Sequence, residues 1–337
     1  MTLSPSTALS ERLEQLRTIL QQQSAPFPTA PVSAQQSPPP VSAASADIVH
    51  WLAGEVRRRA GIAVNDSVRA KLDKITTKLA PGELPGWAER LAATGDDHPE
   101  WLSLVETLTV HETYFLRDPG QYDFVRRAGL ADIIAGQKNV PNPSLRLWSA
   151  ACSTGEEAYS LAILALEALE DAGEAEIDDR GRIHLRRNWT VNVLGSDLSR
   201  QAVRAAETAV YHTFGLGAFR GLPQSYWRFF EPVEISGAGA PPDGGKSWRI
   251  LSQIRRLVSF RQFNLMSPEA PAKDLDVVFC RNVLIYFDQP GKRHVFKLIH
   301  RALKNGRLAV FGPTDIPDPP EMFKAQWGTA TVIYRKN

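Results

Sequence analysis

The sequence predicts an α/β fold in which a doubly wound parallel sheet follows a small all-helical N-terminal domain and carries an inserted antiparallel β-subdomain. Three observations lead to this prediction. Apolar residues recur at helical spacing between positions 47 and 106. After about position 139, short apolar runs alternate with longer helical segments. Between Arg220 and Phe263 this alternation stops, and β-type segments flank a Gly/Pro-rich loop at 236–245.

Residues 1–46 are predicted to form an N-terminal extension outside the folded domains. Its second half, 24–46, consists mainly of Pro, Ala, Ser and Gln and contains no charged residue. Such a segment cannot bury enough apolar surface to offset its ordering entropy, so we expect a disordered linker. In the first half, leucines at 9, 13, 16 and 20 have helical spacing. Both a small docking helix and a transient helix fit that pattern.

The segment 47–106 is predicted to form the helical N-terminal domain. Its second helix has an apolar face that includes Val68 and Leu72. Beside this face, Lys71, Lys74 and Lys78 follow one another at i, i+3 and i+7 as a basic stripe. The stripe has two interpretations, a solvated face or a docking surface for an acidic partner helix.

The remaining chain, 107–337, is predicted to form the α/β domain, with the β-subdomain at about 220–263. Predicted strands of the main sheet are 145–151, 190–197, 275–282, 306–313 and 330–336. Predicted helices are 156–169, 199–211 and 289–303. The segments 228–235 and 248–263 are interpreted as antiparallel strands of the insertion, and 171–188 as a shorter polar insertion.

The composition excludes several classes of protein. A hydrophobic fraction of 43% and a charged fraction of 23% are typical of a globular protein, and a net charge of +2 is too small to indicate nucleic-acid binding. Two cysteines predict neither a disulfide framework nor a thiolate metal site. The sequence contains no apolar run long enough to cross a bilayer and no secretion signal, so we expect a cytoplasmic protein without membrane insertion.

A small-residue loop, Ser149–Gly155, joins the first predicted strand to its helix. Such a loop lets a ligand approach the backbone closely, but it lacks the three glycines of a dinucleotide-binding loop. Glu156 and Glu157 open the helix, where they complement the helix dipole and would repel a pyrophosphate. A carboxylate there can instead accept from an ammonium group. Asp197, at the end of the second strand, is placed to accept from both hydroxyls of a ribose. A nucleoside that carries an amino acid fits this loop best.

Five segments, 109–124, 147–160, 194–199, 263–266 and 277–288, resemble in order the motifs of the CheR family of chemoreceptor glutamate methyltransferases. The resemblance extends from about Asp47 to the C-terminus. It implies a Rossmann-like domain that depends on S-adenosylmethionine (SAM). The implied reaction transfers a methyl group to glutamate side chains on the acidic, helical cytoplasmic domain of chemoreceptors. The products are a glutamate methyl ester and S-adenosylhomocysteine.

The resemblance also implies roles for individual residues. Arg117 and Tyr286 are the candidate catalytic residues, with Tyr286 near the sulfonium. The candidate cofactor-binding residues are His111, Thr113, Arg117, Glu157 at the methionine ammonium, Asp197 at the ribose, Asn264 and Leu265 at the adenine, Arg281 and Asn282. The sequence departs from the family pattern at His111, at Ala158, and at 312–315, where GPTD replaces a Gly-His-Ser-Glu-like turn.

These residues suit carboxyl methylation because glutamate is already ionised at neutral pH. Neither a general base nor a metal is expected, so the remaining task is alignment of the two reactants. We expect Arg117 to orient the acceptor carboxylate, with a structural salt bridge to Asp118 or another acid as its alternative role. A monomer that docks its receptor through Lys71, Lys74 and Lys78 is the leading interpretation. Methylation of another protein or of a small acid, and a non-catalytic SAM-binding scaffold, are the alternatives.

Overall fold

The computed structural model describes residues 45–80, 82–109, 112–213, 217–235, 245–328 and 331–337. The N-terminal leucine pattern, nearly all of the predicted linker and His111 lie outside these residues. Among the described residues, no helix has the length and apolar character needed to span a bilayer.

Within the described residues, the N-terminal region contains the helices α1 Ser45–Ala60, α2 Asp66–Thr76, α3 Leu84–Ala93 and α4 Pro99–Leu108. Their apolar faces share one core, in which Leu52, Val56, Leu72 and Leu91 are completely buried. The side chain of Asn65 caps α2 by accepting from the amide of Val68 at 3.0 Å.

The basic stripe does not run along one helix as predicted. Helix α2 ends at Thr76, so Lys78 lies in the turn that follows. The hydroxyl of Thr77 donates to the carbonyl of Lys74 at 3.2 Å, a local bond that competes with continuation of the helix. Lys71 donates to the carbonyl of Leu108 at 3.1 Å and so helps to join α2 to α4.

A helical segment leads from the N-terminal region into the sheet. It consists of α5 Pro119–Phe124, a π-helical turn Val125–Leu130 and α6 Ala131–Ala135. The elements that follow in chain order are β1 Ser144–Ala150, α7 Glu156–Asp171, β2 Ala175–Ile177, β3 Ile183–Leu185, β4 Thr190–Asp197, α8 Arg200–Thr208, β5 Val210–His212, β6 Phe230–Val233, β7 Ser247–Ile250, α9 Ser252–Arg255, β8 Val258–Gln262, β9 Leu275–Cys280, α10 Gln289–Ala302, β10 Leu303–Phe311, β11 Phe323–Trp327 and β12 Val332–Lys336. Short 3₁₀ turns occur at Gln224–Phe229, Leu284–Tyr286 and Pro320–Met322.

The main sheet has seven strands in the order β11-β12-β10-β9-β1-β4-β8. Strands β8, β4, β1, β9 and β10 run parallel to one another, β12 pairs antiparallel with β10, and β11 pairs antiparallel with β12. The chain fills the sheet outward from β1 to β8 and then returns to place β9 on the other side of β1. Ligands of doubly wound sheets bind at such a switch point, beyond the carboxyl ends of the strands. The predicted α/β architecture with a helical N-terminal region and an additional antiparallel sheet is confirmed.

The antiparallel β-subdomain is a three-stranded sheet in the order β5-β7-β6. Two interpretations of the sequence in this region are wrong. The predicted helix at 199–211 ends at Thr208, and Val210–His212 is a strand of the β-subdomain. The segment Val258–Gln262, assigned from its sequence to the insertion, pairs in parallel with β4 as the edge strand of the main sheet. As an edge strand it has one exposed and one half-buried face, and it lacks the apolar run of a buried parallel strand.

Candidate active site

A pocket opens at the carboxyl ends of β1, β4 and β9, with an empty volume of about 930 Å³ that includes space open to solvent. Nine of the ten residues predicted for the site line this pocket: Thr113, Arg117, Glu157, Asp197, Asn264, Leu265, Arg281, Asn282 and Tyr286. The tenth, His111, lies outside the described residues. Residues separated by up to 173 positions in sequence are therefore brought to one cavity by the topology of the sheet.

The turn between β1 and α7 forms the floor of the pocket. Ala151, Ser153 and Gly155 have positive φ angles of 63°, 50° and 95°. A Cβ atom at Gly155 would lie 2.8 Å from the Cβ of Ala206, so both the backbone angle and the packing require glycine here. Ala151, Cys152 and Ser153 of this turn line the cavity.

Asp197 extends from the end of β4 to the pocket and is 7% exposed. One carboxylate oxygen accepts from the amide of Ser153 at 2.8 Å, and the other accepts from the amide of Ser199 at 3.0 Å. These bonds to neighbouring turns fix the carboxylate. Asp197 lines the pocket, where a carboxylate suits the hydroxyl groups of a ligand.

Glu157 lies in the first turn of α7, and both of its oxygens are engaged. Oε1 accepts from the hydroxyl of Ser149 at 2.7 Å, and Oε2 accepts from Nε of Arg281 at 2.8 Å. The carboxylate is therefore held at the pocket by a hydroxyl and by a charge-assisted bond from a guanidinium.

Arg281 joins three parts of the site. Its side chain is only 1% exposed. Besides Glu157, it donates to the carbonyl of Arg117 at 2.7 Å, to Oε1 of Gln121 at 2.9 Å and to the hydroxyl of Tyr122 at 3.3 Å. Since Nε, Nη1 and Nη2 all donate to protein acceptors, the geometry favours a role for Arg281 in positioning its neighbours.

Gln121 was not predicted to take part in the site. It accepts from Arg281 and donates to the carbonyl of Phe311 at 3.0 Å, so it connects the carboxyl ends of β9 and β10. Its position four residues after Arg117, within the family-like segment 109–124, was the available signal. The hydroxyl of Ser149 and the backbone of Ser153 were likewise missed as partners of Glu157 and Asp197.

Arg117 reaches the pocket from the segment before α5. Its Nη1 donates to the carbonyl of Glu112 at 3.0 Å, and its guanidinium carbon lies 5.7 Å from the ring centre of Tyr114. Within the described ranges no carboxylate forms an ion pair with Arg117, and Asp118 instead contacts Arg281 at 3.3 Å. The predicted alternative role of a salt bridge to Asp118 is therefore wrong.

The opposite wall contains the other predicted residues. Tyr286 ends a 3₁₀ turn beyond β9, and Asn282 adopts a left-handed conformation with φ of 56° between the two. Asn264 donates from Nδ2 to the carbonyl of Arg59 at 2.7 Å and accepts from the amide of Met266 at 2.9 Å. Leu265, 6% exposed, supplies an apolar surface beside it. The pair combines polar and apolar contacts, as a site for a purine ring requires.

Comparison with known proteins places this site in a family. The model of the CheR methyltransferase SAM-binding domain matches residues 111–331. Chemotaxis protein methyltransferase 1 of Pseudomonas aeruginosa is 32% identical over 240 residues, which cover 69% of this chain and 76% of that relative. Chemotaxis protein methyltransferase 2 of the same species is 33% identical over 262 residues, which cover 77% and 82%. The chain belongs to the CheR methyltransferase family. It is a SAM-dependent methyltransferase, as the sequence motifs predicted.

One further relative of the enzyme has a different assignment. The probable biofilm formation methyltransferase WspC of Pseudomonas putida is 34% identical over 229 residues, which cover 67% of this chain and 46% of that relative. Relatives of similar sequence identity are thus named for chemotaxis and for biofilm formation.

The residues around the pocket fit SAM by the chemistry of their donors and acceptors. The oriented carboxylates of Glu157 and Asp197 suit an ammonium group and a ribose, and the β1–α7 turn lines the same pocket. Among the described residues, no group of three or more His, Cys, Asp or Glu side chains has the arrangement of a metal site.

Glu156 introduces a pH dependence into the folding of the enzyme. Burial raises its pKa from 4.5 to about 7, and a bond from the hydroxyl of Thr154 lowers it in part. A carboxyl whose pKa is raised by folding binds its proton more tightly in the folded chain. Its contribution to stability is therefore complete below pH 4.5 and is lost as the pH rises through about 7.

We predict that Glu156→Gln removes this contribution. The free energy of unfolding of the wild type, measured by urea denaturation between pH 4.5 and 7, should fall with pH more steeply than that of the variant. Burial also raises the pKa of Asp315 to about 6, but that carboxyl is present in both proteins and cancels in the comparison. Equal slopes would contradict the prediction.

Proposed function

We propose that the enzyme methylates the side-chain carboxylate of glutamate residues in the cytoplasmic helical domain of chemoreceptors. The products would be a glutamate methyl ester and S-adenosylhomocysteine. The observation that carries the proposal is Arg117, a guanidinium at the pocket with no carboxylate partner among the described residues. The relatives from Pseudomonas aeruginosa are chemotaxis protein methyltransferases, which supports a role in chemotaxis. A chemoreceptor substrate also implies a cytoplasmic enzyme, which we propose to be a monomer.

In this proposal Glu157 binds the methionine ammonium, and Asp197 binds the ribose hydroxyls. Asn264 and Leu265 flank the adenine, and Thr113 lies beside the methyl donor together with Asn282. Their common position on the pocket wall supports these roles. Arg281 acts through Glu157 and the carbonyl of Arg117, because its own donors are engaged.

When bound, SAM would supply an electrophilic methyl group on a sulfonium. An ionised carboxylate attacks the methyl carbon in line, and the C–S bond breaks to release S-adenosylhomocysteine. The acceptor glutamate needs no base, because its reference pKa of about 4.3 leaves it ionised at neutral pH. Arg117 holds one acceptor oxygen while the other attacks, and Tyr286 orients the acceptor through its hydroxyl. The charges of the reactants cancel in the transition state, so a tight grip on the ground state would slow the reaction. Arg117 therefore contributes orientation, which is worth up to roughly 7–11 kcal/mol in well-aligned reactions.

We predict that Arg117→Ala lowers kcat/KM for the acceptor by about 100-fold, because the acceptor carboxylate loses its orientation. Arg117→Lys should recover part of the loss, since lysine keeps the charge without the planar fork. The affinity for S-adenosylhomocysteine, measured by calorimetry, should change much less. The control is Arg127→Ala, which removes an arginine that is 68% exposed and away from the pocket. Wild-type turnover in Arg117→Ala would overturn the assignment.

The substrate class is tested by incubating the enzyme with SAM labelled in the methyl group and purified cytoplasmic fragments of chemoreceptors. Base-labile label on the fragment, absent when its candidate glutamates are changed to alanine, is the expected result. Label that appears only on free acids or on another protein would overturn the receptor as substrate. Binding of S-adenosylhomocysteine without any transfer would favour a non-catalytic scaffold.

We propose that Lys74 and Lys78, both exposed, dock the acidic receptor helices. Lys71 belongs to the same predicted stripe, but its bond to Leu108 gives it a structural role as well. Changing Lys74 and Lys78 together to glutamate should raise KM for receptor several-fold at low salt, with a smaller effect at high salt because charges are screened. The matched control changes the exposed Lys297 and Lys324 to glutamate. Equal KM values in the two double variants would overturn the docking surface.

The second candidate substrate is a protein of another signalling system. The observation that favours it is the 34% identity to the biofilm formation methyltransferase, of which the chain covers 46%. The labelled-methyl assay separates the two candidates when receptors of both systems are offered in competition.

A further inference from the structure

The helical N-terminal region forms part of the pocket wall. Ala60, Ile62 and Thr109 line the same cavity as the candidate catalytic residues. Two of these residues belong to the segment Arg57–Ala63, which comprises the last turn of α1 and the start of its connection to α2. We call it the α1–α2 segment.

Hydrogen bonds from main-chain groups of the α1–α2 segment join it to the loop after β9 and to Asn264. The amide of Ala63 donates to the carbonyl of Tyr286 at 2.7 Å, and Ile62 forms an antiparallel β-bridge with Phe287. The carbonyl of Arg59 accepts from Nδ2 of Asn264 at 2.7 Å. The segment therefore contacts Tyr286, a candidate catalytic residue, and Asn264, a candidate adenine-side residue. It does so through its own backbone groups, so replacing a side chain of the segment does not remove these groups.

Gly61 makes these contacts possible. Its φ is +71°, and a Cβ atom there would lie 2.5 and 2.6 Å from two ring atoms of Phe287 and 2.7 Å from the sulfur of Met266. Phe287 is 8% exposed and belongs to the core beneath α10, so its ring has little room to move. Any side chain at position 61 must push the segment and the Tyr286 loop apart.

An ion pair holds the far end of the same loop. Arg57 contacts Asp288 at 2.5 Å, and Asp288 caps α10 by accepting from the amide of Gly291 at 2.8 Å. The loop 286–288 is thus tied at its first residue by a main-chain bond and at its last by a charged one.

We propose that the α1–α2 segment is a positioning element of the active site, which sets the location of Tyr286 and thereby the rate of methyl transfer. The inference rests on the proposed role of Tyr286 and goes beyond it by assigning a kinetic function to the helical region. None of the segment's residues is required to touch the reacting atoms. Their effect is transmitted through the backbone of residues 286 and 287.

The test compares Gly61→Ala with Gly306→Ala. Gly306 has the same φ of +71°, but a Cβ there would have no atom within 4 Å, so the two changes share the backbone strain and differ in the steric contact. We expect kcat to fall by about 10- to 100-fold in Gly61→Ala and to stay at the wild-type value in Gly306→Ala. The KM for SAM should change by a smaller factor.

A double-mutant cycle distinguishes positioning from general damage. In a Tyr286→Phe background, Gly61→Ala should lower kcat by a much smaller factor, because the group that it misplaces is already absent. If Gly61→Ala fails to fold, Arg57→Gln serves as the second variant, with Arg90→Gln at an exposed pair elsewhere in the helical region as its control. We expect Arg57→Gln to lower kcat by a few-fold and Arg90→Gln to leave it unchanged.

The outcomes distinguish the proposed role of Tyr286 from its positioning by the α1–α2 segment. Wild-type kcat in Tyr286→Phe would overturn the proposed role of Tyr286 and, with it, the positioning. A reduced kcat in Tyr286→Phe, together with equal kcat values for Gly61→Ala and Gly306→Ala, would overturn the positioning alone. Equal factors for Gly61→Ala in both backgrounds would also overturn it.

Discussion

Arg281→Met should lower the free energy of unfolding by about 3–5 kcal/mol, the range typical of a buried ion pair that loses one partner. Methionine fills much of the arginine volume, so the cost comes mainly from the groups left behind. The largest contribution is Glu157, which is 9% exposed and whose Oε2 would lose its bond from Arg281. The carbonyl of Arg117 and the amide oxygen of Gln121 would lose their donor as well.

Adding Glu157→Gln to the Arg281→Met variant tests whether the loss of stability comes from the unpaired Glu157 carboxylate. The neutral amide removes the uncompensated charge, so the double variant should be more stable to urea than the single one. Arg186→Met is the control, because its partner Glu176 is 65% exposed and we expect no measurable change. An Arg281→Met protein as stable as the wild type would show that Arg281 does not hold the site together.

The same variant also tests the cofactor site. Glu157 is oriented by Arg281 and by the hydroxyl of Ser149. A folded Arg281→Met protein should therefore bind S-adenosylhomocysteine more weakly, although we propose no direct contact between Arg281 and the cofactor. This result would place Arg281 among the residues that act through others.

The ends of the central strands could be predicted from the sequence. Ser149–Gly155 and Asp197 follow apolar runs of the length of buried strands, and parallel strands bring their carboxyl ends to one edge. The acids at these ends were therefore expected near one ligand. Residues carried over from the family, such as Asn264 and Tyr286, depended on the motifs, because no periodicity distinguishes them from other polar or aromatic residues.

The edge strand and the N-terminal wall could not be predicted in this way. The residues of Val258–Gln262 alternate between half-buried and exposed. Such a pattern does not indicate whether the neighbouring strand runs parallel or antiparallel. The bond between Asn264 and the carbonyl of Arg59 joins residues 205 positions apart. Helical periodicity predicts which face of α1 is buried, but it does not indicate which carbonyl at the end of the helix meets the pocket.

Asp197→Asn should weaken the binding of S-adenosylhomocysteine by about 100-fold, which corresponds to about 2.7 kcal/mol. Two hydrogen bonds from ribose hydroxyls to a carboxylate are worth about 1.5–3 kcal/mol each. An amide keeps one acceptor oxygen and directs its NH₂ group either at the ligand or at a backbone amide. In the wild type the amides of Ser153 and Ser199 each donate to a different oxygen of Asp197. In either orientation of Asn, the NH₂ group therefore faces one of these two amide N–H groups, which loses its acceptor.

The matched control for this change is Asp178→Asn. Asp178 also accepts from backbone amides, those of Arg180 and Arg182, each at 2.9 Å, but it lies in the β2–β3 hairpin and does not line the pocket. Both amides donate to Oδ1 of Asp178, which Asn can keep, so Asp178→Asn neutralises a turn carboxylate away from the pocket. Only Asp197→Asn should change the affinity measured by calorimetry. Equal affinities would mean that the carboxylate of Asp197 serves the two turns alone. The ribose would then have to be bound by other groups, with the main-chain atoms of the β1–α7 turn as the nearest candidates.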